Sequence, residues 1–194
     1  MRNISLFVFP IVLCLLVISC GDDKPLIPKP PTYLRNDFPP HTYKKLDLGC
    51  PYTFELSEAY SYNRVTEGTT PTCHLDIDLG KLNGAMHFSY ITMVNPLRDY
   101  IEYSLKKVEE HEVKADEIKD QQFLFPNKKV YGTFFEIKGD VASPFQFYLT
   151  DSTSHFVSGV VYFNARPNYD SLRPSLDYLK ADIIHLIETF EWEK

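Results

Sequence analysis

The chain has 194 residues, and its 20 Lys+Arg against 26 Asp+Glu give a formal net charge of −6. That balance argues against a nucleic-acid partner, which wants a basic face, and offers no basic patch to anionic lipid. Thirteen Tyr and 14 Phe supply ample core material, while the 8 Gly form neither a GxGxxG nor a P-loop, so no nucleotide or other cofactor is implied.

The chain opens "MRNISLFVFPIVLCLLVISC". One Arg precedes an apolar run, residues 6–18, that is short for a membrane span and right for the hydrophobic region of a signal peptide. It ends in "VISC", which resembles the lipobox of bacterial lipoproteins. On this reading residues 1–19 are removed and Cys20 carries the lipid; the rival is an uncleaved signal anchor with an incidental Cys. Several acyl chains give stable attachment, at about 0.8 kcal/mol per buried CH₂. Residues 20–45 read as anchor and Pro-rich tether, able to reach on the order of 60–70 Å if extended. Asp22 and Asp23 resemble an outer-membrane sorting signal, but also the Asp that retains lipoproteins at the inner membrane of enteric bacteria. We place the protein on the envelope membrane facing the periplasm, with the outer membrane preferred and surface exposure open.

Residues 46–194 have the size of one domain. Cys14 leaves with the signal and Cys20 takes the lipid, so Cys50 and Cys73 remain, in an oxidising compartment. A disulfide between them is the preferred reading, contributing about 3 kcal/mol by chain entropy; two free thiols or a metal pair are the rivals. A zinc site wants four ligands, and no CxxC or HxxxH spacing is present.

Along the domain, residues 51–56 predict a short strand and residues 68–72 a turn. "CHLDIDL" (73–79) and "AMHFSYI" (85–91) alternate apolar and polar and predict an antiparallel hairpin. Residues 95–113 predict an amphipathic helix capped by Asn95. Its stripe is Leu97, Ile101, Leu105 and Val108, and Glu102 and Lys106 pair on the outer face. "ADEIKD" (115–120) reads as a turn and "QFLFP" as a weak strand. Strands follow over 129–139 and 144–151, then a central strand, "HFVSGVVYFN", apolar on both faces. The final helix carries Leu172, Leu176, Leu179, Ile183, Ile187 and Phe190 on one face. Ser171 is its expected cap, which would place Pro174 harmlessly in the first turn. The fold class is α+β, an antiparallel sheet with two long helices packed on it, resembling a Mog1/PsbP-like α-β-α sandwich.

The loop before that helix concentrates Asn164, Arg166, Asn168, Tyr169 and Asp170 within seven positions. With no nucleophile and base beside it, it reads as a rigid crossing that can double as an interaction surface. Ser154 and His155 are adjacent strand residues facing opposite ways, a poor catalytic pair. "EEHE" (109–112) reads as a solvated helix end, and His74 and His87 near Asp76 and Asp78 as surface polar pairing rather than a metal site. Tyr60, Tyr62, Tyr100 and Tyr103 fall outside the cleanest apolar stripes, so a binding face can include some of them.

"CPYTFE" (50–55), "HFSYI" (87–91), "VKADEI" (113–118), "HFVSGVVYFNARPNYDSLRPSLDYLKADI" (155–183) and the closing "ETFEW" together resemble the GldD gliding-motility lipoproteins of the Bacteroidota. The resemblance implies a lipid-anchored accessory of gliding motility and of the associated type IX secretion machinery. It implies other envelope proteins as partners, no enzymatic activity, no catalytic residues and no small-molecule substrate. It carries over Cys20, the pair Cys50 and Cys73, and the loop after the central strand. The expected role is a non-enzymatic scaffold or assembly factor. The alternative is a small-ligand or carbohydrate-binding, possibly hydrolytic, lipoprotein, which requires a concave pocket with converging polar groups.

Overall fold

The computed structural model describes residues 37–193. The signal, Cys20 and most of the tether therefore lie outside the described residues. The elements are β1 (Tyr43–Asp47), β2 (Tyr52–Ser57), β3 (Ser61–Glu67), β4 (Thr70–Asp78), β5 (Gly84–Thr92), α1 (Leu97–Glu109), β6 (Ala115–Phe125), β7 (Val130–Gly139), β8 (Phe145–Thr150), β9 (His155–Phe163), α2 (Tyr169–Thr189) and β10 (Glu191–Trp192). Seven strands form one antiparallel sheet in the order β3-β4-β5-β9-β8-β7-β6, and β1-β2-β10 form a small second sheet. This is the expected α+β class, with β9 fourth of seven and central as its apolar run predicted.

The alternation of β4 and β5 sorts as physical chemistry requires. Leu75, Ile77, Met86 and Phe88 are buried, while Asp76, Asp78 and His87 face water. They meet Phe147, Leu149, Val157 and Val161 of the central strands, the aromatics of β2, and Leu176, Leu179, Ile183, Ile187 and Phe190 of α2. Gly159 is required in β9, because a Cβ there would stand 2.2 Å from the Phe147 ring that crosses it. Cys50 and Cys73 are bonded, with Cα atoms 5.8 Å apart, tying the start of β2 to β4.

Several expectations are corrected, each for a visible reason. Residues 115–120 are not a turn but the first half of β6, an edge strand whose exposed Glu117, Lys119 and Asp120 hide its pattern and discourage edge pairing. β3 was not anticipated: it is the opposite edge, largely exposed and without alternation. β4 begins at Thr70, inside the expected turn, and Gly68 (φ 62°) makes the hairpin tip. Asn95 does not cap α1; Pro96 stands there with no side-chain hydrogen bond. Glu102 pairs with Arg98 (2.9 Å) rather than Lys106. α2 starts three residues early, because Asn168 accepts the Ser171 N–H (3.1 Å) and outcompetes Ser171 as cap. Pro174 consequently sits at the sixth helical position, where its ring removes the hydrogen bond to the Asp170 carbonyl. The closing "EW" leaves the helix as β10 after Phe190 turns extended (ψ 136°), and pairs with β2.

The reading of β9 as buried on both faces is also corrected. Val157, Gly159 and Val161 are buried on the core side, but Val160 is half-buried and Tyr162 exposed on the other. The outer face is covered by α1 through a small cluster of Val108, Phe135, Ile137 and Val141. Of the α1 stripe Val108 is buried, Leu97 and Ile101 are half-buried and Leu105 is exposed.

Two outcomes follow from this frame. Replacing Cys50 and Cys73 together by Ser should cost about 3 kcal/mol, because the closed loop spans 23 residues; thermal unfolding should show this as a Tm roughly 6–12 °C lower. The β8–β9 hairpin turns on Asp151. Burial alone would raise its pKa, but the backbone N–H groups of His155, Ser154 and Thr153 outweigh it and hold the carboxyl below its ordinary 3.8. A depressed pKa stabilises the fold above the ordinary carboxylate range, and that contribution fades as pH falls through the lowered value. The Tm difference between wild type and Asp151→Asn should therefore be positive at neutral pH and shrink in acid.

Candidate functional site

The sequence-predicted loop is positioned by the end of β9 and the start of α2. Asn164 is tied to the β4–β5 corner: its N–H donates to the Asn83 carbonyl (2.8 Å) and its carbonyl accepts from Asn83 Nδ2 (3.2 Å). Asn168 is spent as the helix cap, and the Tyr169 N–H donates to Asp140 (3.3 Å). Tyr169 is half-buried, and its phenol pKa is raised by burial and by the nearby Glu136 charge. Asp170 lies in the first turn of α2, inside the helix rather than just before it. Arg166 is exposed and forms no ion pair among the described residues. Four of the five residues are thus explained by the crossing itself, and Arg166 is left to solvent.

A denser polar constellation lies where the tether meets the domain. Asp182 is buried in α2, its side chain 3 % exposed. One carboxylate oxygen receives the His41 ring Nδ1 (2.6 Å) and the Tyr43 hydroxyl (2.9 Å); the other receives the Tyr60 hydroxyl (2.5 Å). Burial, then the Asp182 hydrogen bond and charge, push both phenols well above their ordinary 10.0, so they stay donors. Tyr178 is stacked between Phe38 (4.7 Å) and His41 (4.3 Å), and Tyr43 stacks on His185 (3.6 Å), which meets Glu55 (2.7 Å). Residues 38–43, read as tether, are therefore built into the fold. In this arrangement the carboxylate accepts from three donors and thereby ties residues 41, 43 and 60 to α2. The sequence pattern missed it because its members stand at 41, 43, 60 and 182; an Asp on the apolar side of α2, one residue from Ile183, was the available signal.

The third feature is a groove between α1 and the outer face of the large sheet, about 430 Å³ in volume. Its floor carries Ser89, Ser158 and Gln146, and Tyr103, Tyr162 and Lys107 stand along it. Of the tyrosines noted in the sequence, Tyr103 is free of the core, 65 % exposed. Tyr60 is buried, Tyr62 packs partly on the core, and Tyr100 packs on Phe156 (5.5 Å) while its hydroxyl accepts from the Val94 N–H (3.1 Å). His87 pairs with Asp76 (2.5 Å), while the His74 ring nitrogen accepts from the Tyr90 N–H (3.2 Å), so these histidines are engaged separately. Ser154 is exposed, and His155 meets Tyr90 (2.8 Å) and stacks on Trp192 (5.4 Å). Among the described residues no group of three His, Cys, Asp or Glu could hold a metal ion.

Comparison with known proteins gives one family. The profile of the family described as gliding motility lipoprotein GldD matches residues 23–192. No protein of the curated set matches by sequence. Among solved structures the chain is similar to cyanobacterial PsbP (CyanoP) from Synechocystis sp. PCC 6803, at 10 % identity and a TM-score of 0.48, over 82 % of this chain and 97 % of that one.

The two polar sites should respond oppositely to mutation. Asp182→Ala strands two phenols and an imidazole without their acceptor, and should lower stability by about 3 kcal/mol or more. Arg166→Ala removes an exposed side chain and should change stability by less than about 0.5 kcal/mol. Denaturant unfolding of both variants checks the pair. If Arg166→Ala unfolds early, the loop is held by a contact other than those described here.

Proposed function

Because the chain belongs to the GldD family of gliding-motility lipoproteins, we propose that it serves as a non-enzymatic scaffold or assembly factor for the gliding apparatus and its associated type IX secretion machinery. The coarser statement needs no proposal: it is a membrane-anchored envelope lipoprotein associated with gliding motility. The observation that carries the finer reading is the span of the match, residues 23–192, which takes in the tether and nearly the whole described fold. Attachment through a lipid at Cys20 accords with it. Among the described residues no helix is long and apolar enough to cross a membrane, so a lipid there would supply the attachment.

The side-chain chemistry supports a binding role over a catalytic one. The buried carboxylate is saturated by His41, Tyr43 and Tyr60, and the polar loop is used to cap and brace α2. Partners in this reading are other envelope proteins, met on the periplasmic side of the outer membrane. The alternative, a ligand-binding lipoprotein, required a concave pocket with converging polar groups. The α1 groove has that form, and it is compatible with a scaffold that also holds a ligand.

Deletion of the gene should abolish both colony spreading and secretion of type IX cargo. Wild-type protein should restore both, and Cys20→Ala should restore neither. A deletion strain that glides and secretes normally overturns the proposal. Pull-down from solubilised membranes with the restoring protein should recover the direct partner.

A further inference from the structure

We propose that the groove between α1 and the outer sheet face is a binding site for a neutral oligosaccharide. This goes beyond the scaffold reading and does not rest on it.

The argument starts from Gln146. Its position in β8 places it opposite Val160 of β9 and Phe135 of β7, in the middle of the sheet. The residue is 6 % exposed, yet its carboxamide makes no hydrogen bond among the described residues. Its amide is reached by solvent, since the sealed side-chain atoms left without a partner among the described residues are Thr53 Oγ1 and Tyr178 Oη. The amide is not sealed off, since Gln146 lines the groove. An amide held on the floor of an open groove, with two donors and an acceptor unused, is what a ligand with hydroxyl groups completes.

The surroundings define the ligand. Ser89 and Ser158 are directly opposed across β5 and β9, and both line the groove with no hydrogen bond among the described residues. The charged groups nearby are already engaged: Lys107 binds Glu110 (3.0 Å) and His74 accepts from the Tyr90 N–H. What remains free is neutral: the hydroxyls of Ser89, Ser104 and Ser158, the phenols of Tyr103 and Tyr162, and one amide. Tyr103 on α1 and Tyr162 on β9 are 65 % and 41 % exposed, and they offer aromatic faces to the C–H faces of sugar rings. The volume, about 430 Å³, falls in the range of small-ligand sites. Hydroxyls, one amide and flanking phenol rings in a groove of this size point to a short, uncharged glycan.

A peptide fits less well. An added strand needs a free sheet edge, whereas β5, β9 and β8 are paired on both sides. An amphipathic helix wants a continuous apolar floor, whereas here Ser89, Ser158 and Gln146 interrupt the apolar Ile91, Phe135 and Val160.

The test uses the full lipoprotein, solubilised in an amine-oxide detergent so that no sugar headgroup competes. Chitotriose, cellotriose, maltotriose and xylotriose are titrated by calorimetry and by saturation-transfer NMR. At least one should bind with Kd below about 1 mM. Tyr103→Ala, on an exposed helix position, should weaken that binding at least tenfold with Tm unchanged. Gln146→Met should weaken it at least tenfold with Tm little changed, because the side chain keeps its shape and loses only the amide. Failure of all four sugars to bind, binding unaffected by Tyr103→Ala, or binding unaffected by Gln146→Met would each overturn the proposal. Capture of an envelope peptide in the groove, competing with no sugar, would overturn it equally.

Discussion

The architecture hangs on one buried charge. A carboxylate inside a protein is tolerated when donors replace the water it has lost, and removal of those donors leaves a penalty of several kcal/mol. Asp182 finds three, from two separate stretches of chain: His41 and Tyr43 at the entry to β1, and Tyr60 at the β2–β3 corner. The demand of that single oxygen pair fixes the rotation of α2 about its axis. With Asp182 turned inward toward the small sheet, Leu179, Ile183, Leu186 and Ile187 are turned onto the core. It also fixes where the tether ends. Phe38 and His41 close on either side of Tyr178 because His41 has been brought to the carboxylate.

From that arrangement comes the inequality of the two sheet faces. The inner face is sealed by a 21-residue helix and a second sheet, and its residues fall almost wholly out of solvent. The outer face has a 13-residue helix to cover seven strands. α1 seals one end of that face, where Val108 meets Phe135, Ile137 and Val141, and leaves Tyr103, Leu105 and Tyr162 uncovered. A helix whose stripe is three parts in four incompletely buried contributes little core. Its position is better explained by what it encloses than by what it buries.

This is also where the sequence spoke unevenly. β4, β5, β8, β9 and the inward face of α2 were legible because burial imposes a period, and the apolar residues kept it. The two edge strands were not: in β3 only Tyr62 and Arg64 are half-buried and most of β6 faces water, so little forced an apolar period on "SYNRVTE" or "ADEIKD". The start of α2 was misplaced because two neighbouring polar residues could each cap it, and Asn168 won only once the loop had been folded back by Asn83 and Asp140. The Asp182 network was invisible for another reason: a contact between residues 141 apart has no local period to leave behind. The groove was hidden by the same ambiguity that hid its floor. Val160, Ser158 and Tyr162 read as the second apolar face of a central strand, and only the shortness of α1 leaves them open.

The two features lie on opposite sides of the large sheet. Phe38 and the last residues of the tether pack with the inner core, whereas the groove opens on the outer face beneath α1. The rigid attachment matters here. Residues 38–43 are packed against the domain rather than loose. Because Asp182 holds them, the direction in which the chain leaves the fold is set by the fold, and the groove inherits an orientation relative to the point of departure.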